Sequence, residues 1–231
     1  MKKVKTDDGS FTFYSEEFNQ HYHTLAGGFG EALEKHVRPS LAYFEDGVVI
    51  LDFCFGLGYN SFVALKKAED KGISFRVIAI ENDLKIIQEL RNLDLGEYDP
   101  IKKRFLKVID LEPKKKDGVF IYETKDITLL IGDAEKSLPL LSEFSRKIGV
   151  VYFDPFSRSV CPQLWDEIVF RQIFSCMGDS SILTTYSCSK VVRRAMENAG
   201  FNVIDGPVFG RKAPGTIAYK GELKISEELE K

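Results

Sequence analysis

The chain has 231 residues, with 32 Lys and Arg against 35 Asp and Glu, which gives a formal net charge of −3. Hydrophobic residues make up 44% of it, enough for one sizeable core. This balance excludes a uniformly basic protein that coats nucleic acid, and it leaves room for a local basic face. No run reaches the ~18 to 20 apolar residues that span a bilayer, and the polar start MKKVKTDDGS lacks a signal-peptide segment. We therefore expect a cytoplasmic protein with no membrane partner.

The cysteines and histidines do not form a recognisable framework. The four cysteines are Cys54, Cys161, Cys176 and Cys188. They contain no C-x-x-C pair and lack zinc-like spacing, so we expect reduced thiols that pack in the interior. His21 and His23 form an H-x-H pair, but the chain has only one further histidine, His36. No metal site is predicted.

The first 46 residues differ in pattern from the rest. Short polar and aromatic pieces are followed by the glycine-containing segment 26–30 and by EALEKHV, which predicts one or two helical turns. We predict that residues 1–46 form an appendage or lid that contributes to a substrate site. Residues 47–231 are then predicted to form the main domain.

From Gly47 onward, strands and helices alternate. VVILDFC is a near-continuous apolar run, typical of a strand buried on both faces of a parallel sheet, and a helix is predicted over residues 59–70. Further strands are predicted at FRVIAIE, IGVVYFD and SSILTTY, and further helices at LKIIQELRNL, PQLWDEIVFRQIFSCM and SKVVRRAMENAG. This alternation predicts an α/β fold with a mostly parallel sheet and right-handed crossovers.

Two segments depart from that alternation. GVFIYETKDITLLIGD predicts a β-hairpin inserted between crossover units, and the lysine run 114–116 beside it is interpreted as a charged turn. FNVIDGP and FGRKAPGTIAYK predict two last strands joined by a basic loop. The last strand of the sheet should therefore be antiparallel.

The turn after the first strand of this domain contains the first candidate binding residues. It reads Asp52-Phe53-Cys54-Phe55-Gly56-Leu57-Gly58-Tyr59-Asn60. Glycines at a strand-to-helix turn let the backbone approach a ligand and point helix amides at it. The G-x-G-x-x-G of a dinucleotide site is incomplete, because Ser61 stands at its third glycine. An acidic residue followed by x-x-x-G-x-G is typical of nucleoside cofactors with a methionine tail, whereas a tight turn with packing glycines is the simpler alternative.

Acidic residues also follow the next strands. Glu81, followed by Asn82, ends the second strand 23 residues after Gly58 and could accept both hydroxyls of a ribose, or could be a solvated strand end. Asp133 and Ala134 follow the hairpin; the Asp133 carboxylate suits an adenine amino group and equally suits a helix N-cap.

The fourth crossover strand ends in an acid followed by an aromatic residue. Asp154 is succeeded by Pro155 and Phe156, which would place a carboxylate and an aromatic wall beside the reacting end of a cofactor. An amine acceptor in its ammonium form has no lone pair, so a carboxylate that accepts its proton favours attack. Asp154 could instead cap the loop that follows it.

These segments, in order and at fitting intervals, resemble the methyltransferase domain of bacterial MnmC, the methyltransferase of 5-aminomethyluridine at the tRNA wobble position. CFGLGYN, YFDPFS with CPQLW, SKVVRRAMENAGF and FGRK resemble the family patterns GFGTGLN, FLDGFAP with NPxMW, VRRGLxxAGF and GFGRKR. The N-terminal TDDGSFTFYSEEFNQHYHT is also similar to the opening of the family. The sequence departs at Cys54 and Pro155, which replace family glycines, and at 157–160.

The resemblance implies a Rossmann-like class I fold and S-adenosylmethionine as the cofactor. It implies that Gly56 and Gly58 lie at the methionine portion, Glu81 at the ribose, Asp133 near the adenine and Asp154 beside the methyl acceptor. The implied partner is the anticodon stem-loop of a tRNA whose aminomethyl group other enzymes supply. Larger family members carry a flavin-dependent oxidase, and we expect this chain to resemble the stand-alone methyltransferase and to bind no FAD.

Other functions remain open from the sequence. The candidate cations for RNA contact are Arg193, Arg194, Arg211 and Lys212, and the candidate stacking residues are Phe13, Tyr22 and Phe156. The arginines could equally form a solvated helix face. An aminopropyltransferase that acts on a polyamine would share the open sheet, but it needs an acid-rich pocket, which these cation pairs disfavour. A tRNA-binding module without catalysis is disfavoured by the glycines and strand-end acids.

Overall fold

The computed structural model describes residues 2–144 and 147–224. It begins with a small antiparallel sheet of β1 (Lys2–Lys5), β2 (Phe11–Ser15) and β3 (Gln20–His21). Phe13 of β2 is 4% exposed and packs into the same hydrophobic core as the central sheet. The interpretation of Phe13 as a stacking surface for a base is therefore wrong, because its ring is inside the protein.

A helical segment leads from this small sheet to the central one. It comprises α1 (Gly28–Glu31), a π-helical stretch (Ala32–Val37), α2 (Arg38–Ser40) and a 3₁₀ turn (Leu41–Tyr43). The π-helical stretch buries the polar side chains of Lys35 and His36. π-Helical turns are rare and frequently occur at functional sites.

The central sheet has nine described strands in the order β11-β12-β10-β9-β4-β5-β8-β7-β6. Their bounds are β4 (Val48–Phe53), β5 (Phe75–Glu81), β6 (Lys114–Lys116), β7 (Val119–Glu123), β8 (Ile127–Ile131), β9 (Ile148–Phe153), β10 (Met177–Thr185), β11 (Asn202–Asp205) and β12 (Thr216–Lys220). The five strands from β10 to β8 are parallel. Strand β12 is antiparallel to both neighbours, and β7 pairs with β8 in the predicted hairpin. The predicted fold class is confirmed.

The lysine run 114–116 was wrongly interpreted as a turn. It forms β6, which pairs antiparallel with β7 and extends the predicted hairpin to three strands. All three lysines are exposed at the sheet edge. Charged side chains are common on edge strands because they discourage pairing with another chain.

Six described helices follow or connect these strands: α3 (Tyr59–Asp70), α4 (Leu84–Glu89), α5 (Asp99–Ile109), α6 (Ala134–Ser137), α7 (Glu167–Cys176) and α8 (Lys190–Ala199). The helix predicted from 162 onward is interrupted, because Asp166 is extended between a 3₁₀ turn (Pro162–Trp165) and α7. Helix α5 was not predicted. None of the helices in the described ranges is both long and apolar enough to cross a bilayer.

The central sheet is buried on both faces. Alternate residues of β4 belong to two hydrophobic clusters: Ile50 faces α3 and α5, whereas Leu51 faces α7 and α8. The chain passes from β4 to β5 on one side and later returns to β9 on the other. Such a reversal leaves a crevice at the carboxyl ends of the strands, where open α/β sheets bind ligands.

Candidate active site

A cavity of about 540 Å³ lies at the carboxyl ends of β4, β5, β8 and β9. The N-terminal segment 18–25 and the loop after β9 form its other walls. Its acidic lining residues are Glu31, Glu81, Asp133, Glu135 and Asp154. Among the described residues, no Lys or Arg lines it. The cavity therefore suits a ligand that carries positive charge or hydrogen-bond donors.

The glycine turn brings backbone to the cavity wall. Gly56 has φ +54° and lines the cavity, and a Cβ atom there would lie 3.2 Å from the ring of Tyr22. Gly58 has φ +73° and precedes α3, and a Cβ atom there would lie 2.2 Å from the ring of Phe55. The left-handed backbone favours glycine at both positions, and at Gly58 the Phe55 ring also occupies the space that a Cβ atom would need.

Four predicted cofactor residues of this turn support the cavity rather than line it. Gly58 packs against Phe55, whose buried ring stacks on Phe105 behind the turn. Asp52 is fully buried, and its Oδ2 accepts hydrogen bonds from Ser61 N (3.1 Å) and Ser61 Oγ (2.6 Å).

Asn60 is the fourth of these residues, and its side chain contacts the carboxylate of Asp154 at the cavity floor. Its Nδ2 donates to Asp154 Oδ2 at 3.1 Å. Asp52 and Phe55 were placed on the cofactor only by their position in the motif. The Asp52 side chain bonds Ser61 in the first turn of α3, and the Phe55 ring packs in the core.

Glu81 lies at the junction of the turns that follow β4 and β5. Its Oε2 accepts from Gly56 N at 2.7 Å, and its Oε1 accepts from Asn82 N at 2.9 Å and Asp83 N at 3.0 Å. Burial raises the pKa of Glu81 despite these three hydrogen bonds. Its carboxylate lines the cavity together with Asn82 and retains lone pairs for a ligand.

Asp133 and Ala134 lie at the same edge, at the start of α6. Asp133 is exposed, lines the cavity and caps α6 through the hydrogen bond from Glu135 N to its Oδ1 (2.8 Å). Ala134 is buried and also lines the cavity. The capping alternative is thus present, and the second carboxylate oxygen is left for other contacts.

Asp154 forms the floor of the cavity directly after β9. Its side chain is 11% exposed, and its Oδ2 lies 3.1 Å from Asn60 Nδ2 and 3.7 Å from His36 Nε2. Burial, reinforced by the nearby charge of Glu31, raises the pKa of Asp154 to about 6. A carboxylate with this pKa is ionised at neutral pH and is a stronger base than an ordinary aspartate.

Aromatic rings form the wall beside Asp154. Tyr22 and Phe156 both line the cavity and meet edge to face with ring centroids 5.0 Å apart. The Phe156 loop is held by the indole of Trp165, which donates to Phe156 O at 2.8 Å, and by Tyr186 OH, which donates to Pro155 O at 3.1 Å. The two predicted stacking residues at the cavity are therefore on a fixed wall.

The N-terminal segment supplies cavity residues that the sequence patterns did not indicate. Gln20 bonds Ser157 through both its amide nitrogen (2.5 Å) and its amide oxygen (3.1 Å). Glu31 lines the cavity, and its carboxylate accepts from Lys35 Nζ at 2.7 Å and from Thr24 N at 3.0 Å. No sequence signal singled out Glu31, because Glu34, Lys35 and His36 stand in the same helical stretch.

The predicted RNA-contacting cations lie outside the cavity lining. Arg193 donates to Thr216 Oγ1 (2.9 Å) and Gly215 O (3.0 Å) and pairs with Asp205 (2.5 Å). The exposed Arg211 bonds the carbonyl oxygens of Tyr186 and Pro214. The remaining cations, Arg194 and Lys212, are exposed. Arg193 therefore braces the last two strands, and only the other three have an exposed side chain.

The donor set fits S-adenosylmethionine. The Gly56 backbone can approach a ligand closely, the Glu81 carboxylate stands where ribose hydroxyls can donate, and the acidic cavity favours a sulfonium and an ammonium group. A family model described as S-adenosyl-L-methionine-dependent methyltransferase matches residues 96–221.

Similar proteins extend the match over nearly the whole chain. An uncharacterized protein of Methanocaldococcus jannaschii is 28% identical over 94% of this chain and 59% of its own length. The bifunctional tRNA 5-methylaminomethyl-2-thiouridine biosynthesis protein MnmC of Campylobacter hominis is 30% identical over 91% of this chain and 32% of its own length. This chain thus spans about a third to three fifths of these relatives.

A solved structure matches the fold over nearly the whole chain. The crystal structure of MnmC2 from Aquifex aeolicus superposes with a TM-score of 0.78 at 30% identity, covering 99% of this chain and 73% of that one. The chain therefore belongs to the S-adenosyl-L-methionine-dependent methyltransferase family that includes the methyltransferase domain of MnmC.

Proposed function

We propose that the protein transfers a methyl group from S-adenosylmethionine to the primary amine of a 5-aminomethyl group on a tRNA wobble uridine. The observation that carries this proposal is Asp154, a carboxylate with raised pKa on the floor of an acid-lined cavity and beside an aromatic wall. The MnmC relatives support the nature of the acceptor. We expect cytoplasmic tRNA whose aminomethyl group comes from other enzymes.

On the cofactor side, the backbone at Gly56 would hold the methionine portion, Glu81 would accept from the ribose hydroxyls, and Asp133 with Ala134 would lie at the adenine. The bound cofactor supplies an electrophilic methyl group on a sulfonium. The five cavity carboxylates attract the positively charged groups of the cofactor, and the rigid glycine turn orients the cofactor for in-line attack.

On the acceptor side, Asp154 is the catalytic residue. The substrate arrives as R–NH₃⁺, and the Asp154 carboxylate accepts one proton to leave R–NH₂ with a free lone pair. This lone pair forms the new N–C bond as the C–S bond electrons pass to sulfur, and the product is the secondary ammonium ion. Tyr22 and Phe156 offer ring surfaces to an unpaired base.

Residues 1–46 are proposed to act as a fixed wall of the acceptor pocket. Gln20 ties β3 to the loop after Asp154, and Tyr22, His23 and Glu31 line the cavity from this segment. The exposed cations Arg194, Arg211 and Lys212 are proposed to contact tRNA phosphates.

The proposal is tested by mass analysis of wobble nucleosides. The protein is incubated with methyl-labelled S-adenosylmethionine and tRNA that carries 5-aminomethyl-2-thiouridine, and the expected product is the labelled methylaminomethyl nucleoside. The same tRNA without the aminomethyl group is the control. Absence of label from the wobble nucleoside, in protein that binds the cofactor by calorimetry, would contradict the proposed acceptor.

An aminopropyltransferase is the second candidate, and the structure removes one argument against it. The arginine pairs that disfavoured a polyamine lie outside the cavity, whose described lining is acidic. A parallel reaction with decarboxylated S-adenosylmethionine and putrescine distinguishes the two enzymes. We expect no spermidine in that reaction. The third alternative, a tRNA-binding module without catalysis, is tested by calorimetry with S-adenosylmethionine, and absence of cofactor binding would support it.

A further inference from the structure

His36 is a fully buried imidazole whose Nε2 faces the catalytic carboxylate. It lies in the π-helical stretch of the N-terminal segment, and its Nε2 is 3.7 Å from Asp154 Oδ2. This Nε2 atom has no hydrogen-bond partner among the described residues. A buried polar atom without a partner is costly unless it has a role, and the nearest charged oxygen here belongs to the reacting site.

The other ring nitrogen determines the tautomer. His36 Nδ1 lies 3.1 Å from Thr184 Oγ1, and the Thr184 hydroxyl is 3.5 Å from the carbonyl oxygen of His36. If the hydroxyl donates to that carbonyl, its oxygen accepts from Nδ1–H. Neutral His36 then presents a bare Nε2 lone pair to Asp154.

Burial keeps His36 neutral. It lowers the pKa of His36 to about 4, and Lys35 acts in the same direction while Glu31 opposes it. The titratable groups around the His36 and Asp154 pair are His23, Glu31, Lys35, Asp52, Cys54, Tyr152 and Tyr186. A neutral imidazole lone pair repels a carboxylate and attracts a carboxylic acid, so it favours the protonated form of Asp154.

The geometry points to His36 as a positioning residue that accepts a hydrogen bond at Nε2 from protonated Asp154, so that the two side chains together hold the proton removed from the substrate ammonium. This inference rests on the proposed function. The proton passes from R–NH₃⁺ to Asp154 Oδ2, and the O–H bond points at His36 Nε2 while the neutral amine attacks the methyl group. When the product leaves, Asp154 returns the proton to water in the cavity.

The first test needs no substrate. The protein has three histidines, so long-range ¹⁵N–¹H spectra can follow each ring, with His36→Asn identifying the signals of His36. We expect the Nδ1–H tautomer at pH 8 and an upfield shift of Nε2 as the pH falls through the pKa of Asp154. Asp154→Ala should abolish that shift. A protonated Nε2 in the neutral ring at pH 8, or a shift retained in Asp154→Ala, overturns the inference.

The second test is the pH dependence of methyl transfer to tRNA bearing 5-aminomethyluridine. In His36→Asn we expect kcat at neutral pH to fall about tenfold or more. The acidic limb of the plot of kcat against pH should move to lower pH, because Asp154 loses the neighbour that stabilises its protonated form. The KM for tRNA and the Kd for S-adenosylmethionine should stay within about twofold. His36→Gln, whose amide oxygen can accept the same hydrogen bond, should recover part of kcat.

Tyr152→Phe is the matched control. It removes a hydroxyl that bonds Ser40 at 3.1 Å next to the His36 ring and leaves Nε2 facing Asp154. It should leave the pH profile unchanged even where it lowers the melting temperature. A His36→Asn profile that matches wild type shows that His36 only fills space. If wild type itself transfers no methyl group, the proposed function fails, and the NMR arm still decides the role of His36.

Discussion

Asp52 and Glu81 lie near the carboxyl ends of the neighbouring strands β4 and β5, but their side chains make different contacts. Glu81 reaches the cavity and binds the backbone of the glycine turn, whereas Asp52 is sealed beneath that turn and bonds the start of α3. Burial raises the pKa of Asp52 to about 8, and the charges of Asp154 and Glu81 add to the effect. Residue chemistry alone does not distinguish them, because the direction of each side chain follows from the strand register.

Asp52 should make the stability of the protein fall as the pH rises. In the unfolded chain this acid ionises near pH 4, whereas in the fold it keeps its proton up to about pH 8. Folding therefore takes up a proton in this window, and the free energy of unfolding should decrease by up to ~1.4 kcal/mol per pH unit. Urea unfolding of wild type and Asp52→Asn between pH 6.5 and 8 measures the difference.

The variant Asp52→Asn should flatten that slope, because no proton is taken up at this position. Asp46→Asn is the control, since Asp46 is exposed and hydrogen bonds from Ser74 lower its pKa. It should leave the slope between pH 6.5 and 8 as in wild type. Equal slopes in wild type and Asp52→Asn would mean that Asp52 is ionised throughout.

Glu81→Ala should weaken the binding of S-adenosylmethionine by roughly 1 to 3 kcal/mol, because charge-assisted hydrogen bonds to the ribose are lost. Part of the loss should come from the turn, since Glu81 also accepts from Gly56 N. Calorimetry gives the affinity, and urea unfolding gives the stability of the same variant. Glu135→Ala removes an exposed carboxylate of the same cavity and should have less than half the effect. Unchanged affinity in folded Glu81→Ala would remove Glu81 from the cofactor site.

At the scale of elements, the connection between β4 and α3 has three residues with left-handed backbone at alternate positions. Cys54, Gly56 and Gly58 all have positive φ, and the last of them starts α3. A Cβ atom at Gly56 would meet the Tyr22 ring and one at Gly58 would meet the Phe55 ring, so the shape of the turn depends on the absence of side chains at both glycines. Tyr22, which follows β3, thus helps to determine the shape of this turn.

Gly58→Ala should destabilise the protein and abolish cofactor binding. Gly72→Ala is the matched control, because Gly72 also has positive φ (+67°) and has nothing within 4 Å of its added Cβ atom. Both variants lose ~1 to 2 kcal/mol through the left-handed backbone. Gly58→Ala should lose more in urea unfolding, because its Cβ collides with Phe55. Similar stabilities and cofactor affinities in the two variants would contradict the role of this contact.

At the scale of the whole molecule, the net charge of −3 requires any RNA surface to be local. The cavity is acidic, and the exposed cations proposed for RNA contact, Arg194, Arg211 and Lys212, lie on α8 and on the loop before β12. The guanidinium of Arg211 already donates hydrogen bonds to the carbonyl oxygens of Tyr186 and Pro214. The clearest test of RNA binding therefore uses Arg194 and Lys212.

Replacing Arg194 and Lys212 together by Ala should weaken tRNA binding and reduce the slope of log affinity against log salt by about 1 to 2, because fewer counterions are released. Cofactor affinity should not change. The double variant Lys103→Ala and Lys107→Ala removes the same charge from exposed positions on α5 and is the control. An identical loss in the control would show that the total charge, rather than this surface, governs binding.

Much of the fold could be predicted from local patterns. Apolar runs separated by helical segments predicted the parallel strands, the inserted hairpin and the antiparallel last strand, and helix α3 begins and ends at the predicted residues. The glycines and the acids at strand ends predicted where a ligand could lie. These features depend on neighbouring residues and on the period of each element, which the sequence carries directly.

The tertiary structure decided which side chains face the cavity. Sequence periodicity could not show that His36 and Glu31 approach Asp154, that Gln20 bonds Ser157 or that Arg193 is bound within the fold. The contacts of His36, Glu31 and Gln20 form only when the N-terminal segment packs over the end of the sheet, and those of Arg193 form only when α8 packs beside the last two strands. Motif positions predicted several residues that line the cavity, but the environment that raises the pKa of Asp154 depends on residues that no local pattern connects.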